Sequence, residues 1–232
     1  MKPASQYRKL DLGRTIETID RLKLRIEDRF PSSGLSKVCS ELRDIALEST
    51  ATIRFISKPI LWLRIGFGVL ILIGLGTLVY SMSLLKVSYS TIEVVDLVQG
   101  AEASVNDIIF IGAAIYFLFR TETLLKRRRA LAALHELRTI AHVIDMHQLT
   151  KDPKSLQSQG TQHSPQREMS NYELSRYLDY CSEMLSLTSK VSALYANDYN
   201  DEVVLNTINE IEELTSGLSG KVWQKIMVLK EE

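Results

Sequence analysis

The densest group of residues able to do chemistry lies on one predicted helix near the middle of the chain. Its members are spaced at i, i+3, i+7 and i+10 and share one helical face: His135, Arg138, His142 and Asp145. Histidines seven residues apart stand about two turns (~10.5 Å) apart along a helix, too far to share one ion without a ligand from elsewhere. The spacing therefore predicts no metal site.

Two other interpretations of this face remain open. Asp145 follows His142 by one turn, so its charge favours a protonated imidazole and predicts a response to pH. The plainer interpretation is a polar face whose groups are satisfied by neighbouring helices or by water, and we expect this one.

Motifs of catalysis are missing from the sequence, which contains no P-loop, no G-x-S-x-G and no paired Cys and His nucleophile arrangement. We therefore expect no enzyme, no catalytic residue and no cofactor. The only two cysteines, Cys39 and Cys181, fall on apolar stripes, which fits a reducing compartment better than a disulfide. Lys plus Arg and Asp plus Glu both number 28, and this zero net charge argues against a nucleic-acid partner.

A long uncharged segment indicates that the chain crosses a membrane. Residues 65–85 carry no charge, and as a helix they extend ~31 Å, about the thickness of the hydrocarbon core of a bilayer. A second apolar segment, 108–119, is too short alone at ~18 Å, and reaches a spanning length when it is extended back to residue 103. We predict spans at about 61–85 and 103–120, with a buried hairpin of a soluble protein as the alternative.

The extended second span includes two polar residues, Asn106 and Asp107. An ionisable group at membrane depth is costly to bury, so it is a functional candidate that should face a pore or a subunit interface. If Asp107 lies at the outer interface instead, it is an ordinary solvated acid.

The distribution of cations predicts the orientation of the chain. Arg54, Lys58 and Arg64 precede the first span, and the connection between the spans has only Lys86. Five cations follow the second span: Arg120, Lys126, Arg127, Arg128 and Arg129. Positive charge marks the cytoplasmic side, so we predict a two-span membrane protein with both termini in the cytoplasm. The five cations are then topology determinants beside lipid headgroups, and a specific lipid site is the alternative.

The flanking segments predict an all-α protein in which cytoplasmic amphipathic helices form a bundle. Capping-box patterns, Ser90 with Glu93 and Ser170 with Glu173, each predict the start of a helix. The predicted parts are an N-terminal helical hairpin (1–58), a transmembrane hairpin (59–120) with a short acidic external connection (86–102), a helix continuing from the second span (121–149), a flexible linker (150–169) and a C-terminal helical hairpin (170–232).

These features favour a non-enzymatic, membrane-anchored interaction or scaffold protein. We expect the lipid bilayer and further copies of the chain as partners, with coiled-coil packing between helices, together with a cytoplasmic protein. The alternative is an oligomeric ion channel whose second span lines the pore, since Asn106 and Asp107 lie near its mouth. An enzyme that uses the histidine-bearing helix is a third hypothesis.

Overall fold

The computed structural model describes residues 9–84, 94–151, 169–197 and 199–230. Within these ranges helices are the only regular secondary structure, which confirms the predicted all-α class. The elements are α1 (Leu12–Arg29), α2 (Gly34–Ser57), α3 (Leu61–Leu84), α4 (Val94–Leu149), α5 (Asn171–Ala193), a 3₁₀ turn (Leu194–Ala196) and α6 (Glu202–Lys230).

The helices group into two compact units. The first contains residues 1–57 and 127–232, and the second contains residues 58–126. The chain therefore leaves the first unit after α2 and returns to it within α4. The second unit covers nearly the same residues as the predicted transmembrane hairpin, 59–120.

The first unit is a helical bundle with one continuous apolar core. Helix α5 packs along α6, α1 packs along α2, and α5 also contacts both α1 and α2. The C-terminal part of α4 adds an apolar stripe at helical spacing to the same core, and all four residues of that stripe are fully buried: Leu134, Leu137, Ala141 and Ile144. Pattern and structure agree here because a stripe at spacings of three and four residues can only be removed from water against other helices.

Local signals determine where the bundle helices begin and end. The Asp11 carboxylate accepts a 2.9 Å hydrogen bond from the Arg14 N–H at the start of α1. At the start of α5, the Ser170 hydroxyl accepts the Glu173 N–H at 3.2 Å, and the Glu173 carboxylate accepts the Ser170 N–H at 2.8 Å. This reciprocal pair is the predicted capping box. Ser32 adopts a left-handed backbone (φ 58°) in the turn between α1 and α2.

The second unit contains α3 and the N-terminal part of α4. Helix α2 ends at Ser57, as the following Lys58-Pro59 predicts, and α3 begins at Leu61. Helix α4 is a single helix of 56 residues that passes through Gly100. Both stretches that contain windows long and apolar enough to cross a membrane, Gly34–Thr77 and Val105–Leu149, draw on α3 and α4.

Parts of three predictions lie outside the described residues. These are the capping pattern at Ser90 and Glu93, residues 86–93 of the predicted external connection, and residues 152–168 of the predicted linker. Both ends of that linker lie against the bundle: Met169 packs on the core, and Lys151 Nζ lies 5.5 Å from the centroid of the Tyr177 ring.

Candidate functional site

The two polar residues of the predicted second span lie well inside a helix. Helix α4 is present from Val94, so Asn106 comes more than three turns after the first described residue of the helix. Asn106 is exposed and Asp107 is half-buried. Large apolar side chains next to them are exposed as well, including Ile108 and Phe110.

Glu122 is a buried acid at the end of the predicted second span, and three donors converge on it. Its carboxylate accepts from Lys126 Nζ at 2.9 Å, from the Ile60 N–H at 3.3 Å and from Arg64 Nε at 3.3 Å. Only 6% of Glu122 is exposed. It therefore satisfies one of the free N–H groups at the start of α3 and pairs with two cations. We call this group the Glu122 clasp.

The hydrogen-bond donors of the Glu122 clasp keep the Glu122 carboxylate ionised. Burial raises the pKa of Glu122, but the hydrogen bonds from Lys126, Ile60 and Arg64 and the charge of Lys126 lower it further than burial raises it. The net pKa lies below the ordinary value of 4.5. Glu122 is thus ionised at neutral pH, and the clasp carries one negative and two positive charges.

Arg127 makes the second buried ion pair of this region, within the bundle unit. Its Nε lies 3.0 Å from both carboxylate oxygens of Asp201, and its second guanidinium nitrogen lies 2.8 Å from Oδ2. These bonds raise the pKa of Arg127. Asp201 also accepts the Val204 N–H at 3.3 Å, so one carboxylate both caps α6 and attaches its start to α4.

The remaining cations of the predicted topology cluster differ from these two. The Arg129 guanidinium stacks on the Phe55 ring at 4.5 Å from its centroid. Arg120 and Arg128 are exposed. Of the five cations, Lys126 and Arg127 are therefore bound to carboxylates of the chain, and Arg120 and Arg128 face outward.

The predicted histidine face is not a single cluster in the structure. His135 and His142 are exposed, and Arg138 forms an ion pair with Glu210 of α6. The Asp145 carboxylate accepts from the Gln148 amide at 2.5 Å. Among the residues that the structure describes, no group of three His, Cys, Asp or Glu side chains is placed to hold a metal ion.

A different histidine is the one that makes close contacts. His147 Nδ1 lies 3.5 Å from the Tyr177 hydroxyl, and its ring lies over Gly34, the first residue of α2. A Cβ at residue 34 would come within 2.6 Å of the His147 ring, so a larger residue there would displace the ring. The sequence offers no periodic signal for this contact, because His147 lies just after the last residue of the apolar stripe of α4.

Both cysteines are free and buried, on α2 and α5 respectively. Burial raises the pKa of Cys39 and of Cys181 to about 12. A thiol is a nucleophile only as the thiolate, so both groups are protonated and poorly nucleophilic at neutral pH.

Two residues central to this geometry, Glu122 and Asp201, were missed by the sequence analysis. Glu122 carries one usable signal: it is the only acid within the cationic stretch 120–129, and it stands four residues before Lys126.

No protein-family model matches the chain, and no curated protein or solved structure matches it either.

Proposed function

We propose that this chain is a two-span membrane protein with both termini in the cytoplasm, whose helical bundle acts as a non-enzymatic interaction or scaffold module. The observation that carries the proposal is the contrast between the two units. The bundle buries a continuous core, whereas most of the large apolar side chains described in α3 and in residues 105–119 of α4 are exposed.

The exposure of the apolar windows supports membrane insertion. Only 11% and 6% of the two windows are buried within the protein. A hairpin in the core of a soluble protein would bury most of such a window, because exposed apolar surface costs about 25 cal/mol per Å² in water. Lipid removes this cost without any protein partner.

The orientation follows from the cation distribution and can be tested by labelling. In intact cells we expect a membrane-impermeant maleimide to label Ser90→Cys in the external connection, and to label Asn206→Cys, on an exposed position of α6, only after permeabilisation. The native thiols are buried, so the unmodified chain is the blank. Labelling of Asn206→Cys in intact cells contradicts the proposal.

We also propose that the chain forms a homo-oligomer through its spans. Gly66 and Gly74 share one face of α3, and Gly68 and Gly76 share another. A Cβ at any of these four glycines would meet nothing within 4 Å. Small residues allow close approach of membrane helices, so these faces are available to a second copy, with coiled-coil packing of the helices.

The mass of the protein in a mild detergent, measured by light scattering after gel filtration, tests the oligomer. We expect a multiple of 26.3 kDa after correction for detergent. Gly66→Leu with Gly74→Leu should reduce the assembly, whereas Val69→Leu, a matched change at an exposed apolar position, should not. A monomer for the unmodified chain rules out the homo-oligomer.

A cytoplasmic protein partner is the last part of this proposal. Truncation after Leu149 removes α5 and α6, and we expect it to leave membrane insertion intact while changing the oligomer or losing a crosslinked partner. Unchanged assembly and unchanged partner recovery would remove the C-terminal hairpin from the interaction.

The second candidate function is an oligomeric channel, favoured by the position of Asn106 and Asp107 inside α4. A ring of such helices would place an acid of each copy beside the axis and attract cations. Flux into liposomes separates the candidates. Cation flux that is lost in Asp107→Ala but kept in Glu136→Ala, an exposed acid of the same helix, supports a channel. Absence of flux from the unmodified chain supports the scaffold.

A further inference from the structure

An open cleft of about 400 Å³ lies between α1 and α5, and arginines of both helices line it together with a tyrosine of α5. Arg25 and Arg29 stand one turn apart on α1, and Tyr172, Arg176 and Tyr180 follow one another at single-turn spacing on α5. The cleft is lined by Arg25, Asp28, Arg29, Arg176 and Tyr180.

The floor of this cleft is a buried, packed aromatic ring. Tyr180 is only 2% exposed, and the edge of the Phe30 ring packs against it at 6.3 Å between centroids. The Arg176 guanidinium carbon lies 5.1 Å from the centroid of the Tyr180 ring, and that of Arg25 lies 5.8 Å from it. A guanidinium group that lies over an aromatic ring can still donate hydrogen bonds from its N–H edge to oxygen atoms.

The three arginines differ in their pairing. Arg25 forms an ion pair with Glu183, and Arg176 donates one hydrogen bond to Asp179 at 2.9 Å. Among the described residues no carboxylate forms an ion pair with Arg29, whose guanidinium carbon lies 5.3 Å from the centroid of the Tyr172 ring.

Most of the acids around the cleft already form ion pairs or hydrogen bonds with other groups. Glu183 and Asp179 are held by Arg25 and Arg176, and Glu173 accepts from the backbone and hydroxyl of Ser170 in the capping box. Asp28 is the acid that lines the cleft. Arg29 donates hydrogen bonds to the Tyr172 and Tyr180 hydroxyl oxygens, and these bonds raise the pKa of Arg29.

We propose that this cleft binds a phosphate monoester, with Arg29 and Arg176 donating to the phosphate oxygens over the buried ring of Tyr180. A phosphate offers three acceptor oxygens and close to two negative charges. It can therefore accept hydrogen bonds from both Arg29, which forms no ion pair with a carboxylate among the described residues, and Arg176, which donates one hydrogen bond to Asp179. The cleft is larger than a phosphate ion needs and lies within the size range of small-ligand sites, so the phosphate belongs to a larger molecule. That molecule is either a soluble phosphate ester or a phosphorylated lipid headgroup.

Calorimetric titration of the full chain in a maltoside detergent, which contains no phosphate, tests this proposal. The soluble probe is glycerol 3-phosphate, with glycerol as its control. The lipid probe is mixed micelles that contain phosphatidylinositol 4-phosphate, with phosphatidylinositol as its control. We expect saturable binding of at least one phosphorylated probe and none of its unphosphorylated control.

Variants then locate the binding. Arg29→Gln should weaken the affinity roughly tenfold or more, because it removes hydrogen bonds to a charged group. Arg29→Lys should restore part of that loss, because it keeps the charge without the planar fork. Arg21→Gln is the matched control: Arg21 lies on the same helix, is largely exposed and pairs with Glu17 one turn away, so the affinity should stay within twofold.

The outcomes distinguish the two sources of the phosphate and test the proposal itself. Binding of glycerol 3-phosphate identifies a soluble ester, and binding confined to the phosphorylated lipid identifies a headgroup. The proposal is wrong if neither probe binds, or if Arg29→Gln and Arg21→Gln weaken binding equally. Unfolding temperatures of the variants within a few degrees of the unmodified chain exclude loss of the α1–α5 contact as the cause.

Discussion

Removal of the Glu122 carboxylate should loosen the start of α3 from α4. In Glu122→Ala, Lys126 loses its partner although only 13% of its side chain is exposed, and the Ile60 N–H loses its acceptor. The Arg64 side chain is half exposed and can turn to water. A hydrogen bond to a charged group contributes about 1.5–3 kcal/mol, so we expect Glu122→Ala to cost about 2–3 kcal/mol. Glu122→Gln keeps an acceptor oxygen and should cost about 1 kcal/mol.

Tryptophan fluorescence can report this change where it occurs. The chain has two tryptophans, and Trp62 lies between Ile60 and Arg64, so a Trp223→Phe background leaves a single reporter beside the clasp. At about 2–4 °C per kcal/mol for a chain of this size, thermal unfolding in detergent should occur about 4–12 °C earlier in Glu122→Ala. Glu136→Gln removes an exposed acid from the same helix and should change the transition by less than about 0.5 kcal/mol.

The pH dependence supplies an independent check. Because the folded-state pKa of Glu122 is lowered below 4.5, its contribution is complete above that value and is lost as the pH falls through the folded-state pKa. The difference in stability between the unmodified chain and Glu122→Gln should therefore shrink below pH 4.5. If Glu122→Ala is as stable as Glu136→Gln, or if the difference does not depend on acid pH, the clasp does not hold the helices together.

Three further experiments test the bundle, two by its unfolding temperature and one by the reactivity of its thiols. Gly34→Ala should destabilise it by about 1 kcal/mol through overlap with the His147 ring, and adding His147→Ala should relieve that overlap; no improvement in the double variant would contradict the packing argument. Ser170→Ala should cost about 1 kcal/mol as a lost helix cap, while Ser170→Asn should be close to neutral, and equal losses would exclude a capping role. Cys39 and Cys181 should react with Ellman's reagent only after unfolding, and rapid reaction of the native chain at neutral pH would show that they are not buried.

The periodic features of the bundle could be predicted from the sequence. The apolar stripe of α4, the capping box at Ser170 and the end of α2 before Pro59 all depend on residues within a few positions of each other. Spacing within a helix determines which face is buried, because it follows from 3.6 residues per turn. It does not determine which other helix covers that face.

The charged contacts could not be predicted for the same reason. Ile60 and Glu122 are 62 residues apart, and Arg127 and Asp201 are 74 residues apart. Such pairs depend on how helices distant in sequence come together within each unit, which no local pattern records. The same holds for Arg29 and Tyr172, whose contact joins two different helices.

The buried stripe of α4 constrains the length of this helix inside the bundle. Leu134, Leu137, Ala141 and Ile144 lie on one face, and the helix between them is unbroken. Inserting one residue between Leu137 and Ala141 would turn Ala141 and Ile144 by about 100° relative to the preceding turns, whereas inserting seven would turn them by only about 20°. The length of this segment, counted in helical turns, is therefore under stricter constraint than the identity of its exposed side chains.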